Sequence, residues 1–309
     1  MWRKIALAVL VGLLLLGGLV YVRYAEHHSL VMDQLEAGSQ IAETERGPIE
    51  YELKGEEGPV LLFLHGTPGG YDQGAREAGY RVLSPSRPGY LRTPLTVGRT
   101  PEEQAHAYAA LLDTLGVGSV YVMGASGGGP SAIEFAARYP ERTHALVLVE
   151  AVSASMPEDD DVMPGFMRAD FTAWLALSAF GWVSGSEGIV EMLIPDPANQ
   201  VRVLEDETAL ATVTNLIWGL WPPSRRMVGM DNDLQQMRNM HLPVEKLTVP
   251  VLLIHGTADA SVPYAQSVAL ADRLPNATLE TIEGADHMMP FTHAEEMAQK
   301  IETSVQTIH

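Results

Sequence analysis

The stretch SVYVMGASGGGPSAIEFAARYP, Ser119–Pro140, decides the fold. An apolar run that reads as a strand, Ser119–Met123, meets a glycine-rich turn, Gly124–Pro130, and a helix is predicted over Ser131–Tyr139. Such a turn can cradle a phosphate at the helix N-terminus, or it can hold a serine nucleophile out of a sharp bend. Ser126 stands where the second glycine of G-x-G-x-x-G belongs, and no lysine follows to complete a phosphate loop. Gly124, Ser126 and Gly128 fit G-x-S-x-G instead. Small residues two before and two after the serine let the turn close. The free N–H groups of the following helix then face the hydroxyl, where they favour a developing oxyanion.

A serine at neutral pH is a poor nucleophile, so it needs a base, and the base needs an acid to orient it. The chain supplies both further on. In VLLIHGTADASVP, Asp259 follows an apolar strand; in ATLETIEGADHMM, His287 follows the next one. Both belong at the carboxyl ends of parallel strands, where open α/β sheets bind ligands. Glu150, which ends the strand HALVLVE, is the rival acid. Asp286 reads as a turn-forming aspartate. An early loop, LLFLHGTPGG (Leu61–Gly70), is placed to complete the oxyanion site, with the backbone N–H groups of Thr67 and Gly127 as donors. His65 and Pro68 are expected to shape that loop rather than react. His255 is expected to serve packing or a turn, and Met288 and Met289 either wall an acyl pocket or simply pack.

Around these motifs, strands alternate with helices, which implies a mostly parallel sheet covered on both faces. IEYEL (Ile49–Leu53) and PVLLFL (Pro59–Leu64) are predicted to pair as a hairpin across the glycine-bounded turn 55–58. Thr100, Pro101 and Glu103 announce a helix with a capping box. Residues 156–247 interrupt the alternation. They hold four of the five tryptophans and eight of the fourteen methionines. This length predicts an inserted helical cap, because long structureless loops are uncommon. Its aromatic and methionine side chains fill a small core of its own or line an apolar, adaptable pocket. The acidic run Glu158–Asp161 reads as a solvated loop at the cap boundary.

Taken together, HGTPGG, SRPGYLRTP (residues 86–94), GASGGGP, HGTADASVP and GADHMM, in this order, resemble the α/β-hydrolase superfamily over about residues 48 to 309. The resemblance implies a hydrolase core over 48–155 and 248–309, with 156–247 as the cap. The segment after HGTPGG is short for the first helix of that fold. The serine at position 126 argues against the members that use an aspartate nucleophile. A Ser126–His287–Asp259 serine hydrolase is implied, needing no metal or organic cofactor. Its substrate is expected to be a carboxylic ester with an apolar acyl or alcohol part. Proline-iminopeptidase-like amidases and carbon–carbon bond hydrolases are the nearest alternatives on the same residues. A non-catalytic binding module would be favoured by a missing triad member, and none is missing.

The N-terminus points to a membrane. Ile5–Val22 carries no charge, about the minimum length for a spanning helix, and RYAEHHSL after it is a poor cleavage site. Residues 1–22 are therefore expected to be a signal anchor, with a cleaved signal and secretion as the rival, and 23–47 a juxtamembrane linker. Arg3 and Lys4 precede the run and Arg23 follows it, which places the catalytic domain outside the cytoplasm. The formal net charge of -19 disfavours nucleic acid as a partner. With no cysteine, disulfides, thiolate metal sites and cysteine nucleophiles are excluded. No two histidines stand four apart on a helix, so a zinc-protease pattern is absent.

Overall fold

A computed structural model describes residues 1–74, 79–157 and 163–307. The acidic run Glu158–Asp161 and part of the short segment after HGTPGG lie outside them. Among these described residues, eight strands form one sheet: β1 (Gln40–Thr44), β2 (Gly47–Lys54), β3 (Val60–Leu64), β4 (Arg81–Pro85), β5 (Val120–Ala125), β6 (Thr143–Val149), β7 (Val251–Gly256) and β8 (Ala277–Ile282). Their order is β1-β2-β4-β3-β5-β6-β7-β8. The two pairs β1/β2 and β2/β4 are antiparallel, and every later pair is parallel.

Among the described residues, ten α-helices accompany the sheet: α1 (Trp2–Ala37), α2 (Pro101–Thr114), α3 (Gly129–Arg138), α4 (Asp170–Leu193), α5 (Pro197–Glu205), α6 (Glu207–Gly219), α7 (Met227–Met237), α8 (Ala265–Arg273), the short α9 (Met289–Thr292) and α10 (Ala294–Thr307). Side chains alternate across the strands, so each face of the sheet builds its own core. Leu62, Val122, Leu148 and Leu253 pack with α2, α3 and α8 on one face. Leu61, Met123, Val147 and Ile254 pack beneath Met297 and Ile301 of α10 on the other. The capping box at α2 forms: Thr100 accepts from the Glu103 N–H at 3.2 Å, and Glu103 accepts from the Thr100 N–H at 3.1 Å.

The hairpin expected between IEYEL and PVLLFL does not form. β4 lies between these strands in the sheet. The cause is legible in β3, whose five residues are all buried. A strand buried on both faces takes a central place with parallel neighbours, and β3 pairs in parallel with β4 and β5. The hairpin of this region is β1/β2 instead, closed at Gly47 with φ at 114°.

The segment 23–47 is not a linker either. α1 runs on unbroken to Ala37, and the chain then enters β1 of the sheet. Thirty-six residues make a rod of about 54 Å, nearly twice a hydrocarbon core of about 30 Å. No residue of α1 is buried, yet Tyr24, His27, His28, Val31 and Leu35 are partly covered and recur at helical spacing. Tyr24, His27 and His28 lie on a seat made by the helices between β6 and β7. The Tyr24 ring meets Phe171 edge-on at 5.1 Å and Trp174 at 5.7 Å. His27 lies 4.9 Å from Trp218 and 5.0 Å from Trp221. The foot of the rod is bolted to the core. The Tyr71 hydroxyl donates to the Leu35 carbonyl at 2.6 Å, and buried Glu50 accepts from Ser39 at 2.7 Å and from Arg92 Nε at 2.6 Å.

Between β6 and β7 the chain forms α4 to α7. Val190, Ile194, Val203 and Val213 make a small core there, against which Met288 and Phe291 pack. Trp174, Trp218 and Trp221 serve the seat for α1, while Trp182 is 87% exposed. Trp174, Trp218 and Trp221 thus pair with α1, a contact hidden from the sequence because its two halves lie some 150 to 190 residues apart.

Candidate active site

The glycine-rich turn is a tight elbow. Ser126 has φ at 48°, a left-handed conformation that a side chain adopts only under constraint. The flanking glycines supply the room. A Cβ on Gly124 would stand 2.7 Å from the Ala132 Cβ, and one on Gly128 would overlap the Leu64 carbonyl oxygen. The Ser126 carbonyl is pinned by the Val152 N–H at 3.0 Å. α3 starts at Gly129, one 3-10 turn beyond the serine.

His287, from the loop after β8, and Asp259, from the loop after β7, meet Ser126 across the sheet's carboxyl edge. The Ser126 hydroxyl lies 3.1 Å from His287 Nε2, and His287 Nδ1 lies 2.7 Å from Asp259 Oδ2. Asp259 is fixed by further donors: the Ser261 and Val262 N–H groups at 2.8 and 2.9 Å, and His255 Nε2 at 3.1 Å. Burial alone would push the Asp259 carboxyl upward. The hydrogen bonds from His255 and His287 outweigh it and hold the group well below the usual carboxylate range. His255 therefore does more than pack. Its Nε2 faces two acceptors, Asp259 and the Val262 carbonyl at 3.0 Å, so it carries the proton, and Nδ1 accepts from Ser267 at 2.7 Å. The four-residue spacing from His255 to Asp259 was the available signal for this role.

Glu150 stands close by, with Oε2 4.0 Å from His287 Nδ1, against 2.7 Å for Asp259. Asp286 behaves as a turn aspartate, accepting from the Met288 N–H at 2.9 Å, and also receives Asn199 of α5 at 3.2 Å. Met289 is wholly buried in the core, and Met288 packs against the α4–α6 cluster.

The early loop closes over the elbow. A Cβ on Gly66 would stand 3.2 Å from the Ser126 Cβ, and one on Gly127 2.9 Å from the Thr67 Cβ. Thr67 and Gly127 are thus immediate neighbours beside the serine. Behind them lies a network the sequence did not announce. Asp233 of α7 accepts from Thr67 Oγ1, the Tyr90 hydroxyl and Arg87 Nη2, each at 2.5 Å, and from Arg87 Nη1 at 3.0 Å. Burial pushes the Arg87 guanidinium toward losing its proton, and Asp233 more than offsets this. Arg226, fully buried at the start of α7, donates to the Gly69 carbonyl at 2.7 Å and to Asp72 at 2.6 Å. Close approach here rests on Gly229, where a Cβ would run into the Tyr90 ring. Two residues of the inserted helices thereby grip the loop that carries Thr67.

His65 braces the same loop. Its Nε2 accepts the Arg87 N–H at 2.9 Å, so the proton resides on Nδ1, facing the Gly66 carbonyl at 2.8 Å. Burial, then the Arg87 charge, hold its pKa well below the ordinary histidine value. The unfolded chain therefore binds a proton here below about pH 6.5 that the folded chain refuses. Stability from this group is full above that pH and is lost as pH falls below it. Urea midpoints should fall between pH 7.5 and 5.5, and the slope should flatten in His65→Gln; an unchanged slope would show that His65 does not set it.

Comparison with known proteins agrees with the fold. The hydrolase YcgS of Bacillus subtilis is 38% identical over 137 residues, which cover 42% of this chain and 48% of that protein, so the match spans about half of its length. A pimeloyl-[acyl-carrier protein] methyl ester esterase of Aromatoleum aromaticum is 29% identical over 80% of this chain and 98% of its own. A 2-hydroxymuconate semialdehyde hydrolase of Pseudomonas putida is 26% identical over 81% and 87%. Among solved structures, an alpha/beta hydrolase fold protein from Nakamurella multipartita superposes with a TM-score of 0.75 at 28% identity, covering 85% of this chain and 97% of that one. A membrane phospholipase A superposes with a TM-score of 0.63 at 21% identity over 99% of both chains, α1 included. The profile of the alpha/beta hydrolase family matches residues 61–300, from β3 into α10, and with this sheet and this elbow the chain belongs to the alpha/beta hydrolase family.

Proposed function

We propose that the protein is a membrane-anchored serine esterase acting on carboxylic esters with an apolar acyl or alcohol part. One observation carries the reading: an unbroken line of hydrogen bonds from the strained Ser126 through His287 to Asp259. In the proposed reaction His287 Nε2 takes the Ser126 proton as the oxygen attacks the ester carbonyl carbon. The N–H groups of Thr67 and Gly127 stabilise the tetrahedral oxyanion. The imidazolium then gives its proton to the departing alkoxide, leaving an acyl-serine. Water, activated by His287, adds to that acyl group, and the carboxylic acid leaves as Ser126 regains its proton. Asp259 holds the Nδ1–H tautomer throughout.

Two features support an apolar ester. α1 has an apolar run long enough to cross a bilayer and continues as one helix onto its seat, which favours an anchor that stays attached. The pimeloyl esterase and the membrane phospholipase are named for ester substrates. Arg3 and Lys4 before the run support a cytoplasmic N-terminus and an extracytoplasmic catalytic domain. Carbon–carbon bond hydrolysis is the second reading, supported by the muconate semialdehyde hydrolase among the relatives. A panel of short- and long-chain acyl esters, a vinylogous diketone and an aminoacyl amide separates these. The ester reading expects the highest kcat/KM on the esters. Turnover of the diketone alone would replace it.

A further inference from the structure

The reaction as written leaves one acidic side chain beside the histidine unused. Glu150 directly follows β6, is 3% exposed, and has an Oε1 without a hydrogen-bond partner among the described residues. Its backbone is in the left-handed region, φ 47°, almost the value at Ser126, and its N–H is pinned to the Ile254 carbonyl at 2.9 Å. A glutamate at such a φ is under strain that the surrounding structure must hold in place. The conformation aims the side chain at the point where the loops after β7 and β8 bring Asp259 and His287. One oxygen of Glu150, one of Asp259 and a ring nitrogen of His287 lie within 4.8 Å of one another.

We propose that Glu150 is a second acid for His287, a positioning residue that takes over the Nδ1–H hydrogen bond when Asp259 cannot accept it. The inference rests on the serine esterase reading above. The titratable groups facing Glu150 are Asp259, Asp286 and His287, with the Met289 N–H as a donor. Burial, and then the charges of Asp259 and Asp286, keep the carboxyl protonated well above its ordinary value. With Asp259 Oδ2 at 2.7 Å from Nδ1 and Glu150 Oε2 at 4.0 Å, Asp259 holds the hydrogen bond and Glu150 is idle. Replacing Asp259 by asparagine removes one of the two repelling charges, so Glu150 loses its proton more readily. The asparagine amide can donate to Nδ1 and trap the wrong tautomer, the usual cause of inactivity in such variants. A Glu150 carboxylate 4.0 Å away needs only a side-chain rotation to accept the Nδ1–H and restore the productive one.

The test compares full-length Asp259→Asn with Asp259→Asn/Glu150→Gln across pH, with Ser126→Ala as the blank and circular dichroism to establish folding. Asp259→Asn should lose about 10²-fold in kcat, rather than the roughly 10⁴-fold seen when such an acid is replaced without substitute. Its remaining activity should climb with pH as Glu150 ionises. The double variant should fall by about a further 10²-fold and lose that pH limb, which loss of structural support alone would not remove. Asp259→Ala, which removes the carboxylate without adding an amide, repeats the comparison should the asparagine variant fold poorly. Asp259→Asn already at the level of the double variant, with the same pH profile, would overturn the proposal. Ester turnover that survives Ser126→Ala would instead sink the esterase reading itself, so the two failures are distinguishable.

Discussion

Ser126→Ala is expected to lower kcat on a long-chain acyl ester by about 10⁶-fold, and His287→Ala by a similar factor. The two losses should not add, because each residue is useless without the other: the hydroxyl needs the Nε2 acceptor at 3.1 Å, and the imidazole has no other proton to move. Folding should survive Ser126→Ala. The serine is only partly buried, and alanine keeps the backbone at φ 48° with one atom fewer. The pair of observations matters more than either. A folded protein with its turnover gone points to chemistry at Ser126, whereas loss of both would point to a broken elbow. Stopped assays of purified variants beside their thermal melts decide this. A kcat within tenfold of wild type for Ser126→Ala would remove the nucleophile.

The second large effect belongs to Asp233→Ala. This carboxylate lies on α7, more than a hundred residues from the loop it serves, and it receives Thr67, Tyr90 and both Arg87 nitrogens. Arg87 is 1% exposed. Removing Asp233 leaves that guanidinium buried without its counter-charge, which destabilises by about 3–5 kcal/mol. For a chain of this size the melting midpoint should drop by roughly 10 °C. Catalysis should suffer beyond the loss of stability. Thr67 depends on Asp233 for its side-chain position, so the proposed oxyanion donors are expected to loosen and kcat to fall more than KM changes. Asp233→Asn keeps the shape and two acceptor directions, and should sit between wild type and alanine on both measures. A melting midpoint within 2 °C of wild type for Asp233→Ala, taken with the roughly 10 °C expectation, would mean the pair contributes little.

How much of this was legible in the sequence depends on how local the cause is. The elbow, the capped α2 and the strand-ending Asp259 and His287 are each written in fewer than fifteen consecutive residues, and the sheet's parallel half follows from fully apolar strands. The misreadings share another cause. β3 looks like a hairpin partner of β2 until its burial on both faces is weighed, and only the completed sheet shows β4 between them. The second half of α1 reads as a linker because its stripe is made of Tyr24, His27 and His28, which become apolar contacts only against Phe171 and the tryptophans. Asp233 gave no sign at all: an aspartate within MVGMDNDLQQM is a solvated helix residue until Arg87 arrives beneath it. His255 could have been read, since a histidine four residues before the strand-end aspartate is within reach of it in any tight turn.

The central claim is that Ser126 is a nucleophile activated by its partners. The most direct measurement is labelling of the folded, full-length protein with a fluorophosphonate, with the modified residue mapped by mass spectrometry. The account predicts one phosphonyl group per chain, carried by Ser126, with labelling abolished in Ser126→Ala and strongly slowed in His287→Ala. A folded protein that stays unlabelled, or a label on any other residue, would contradict it.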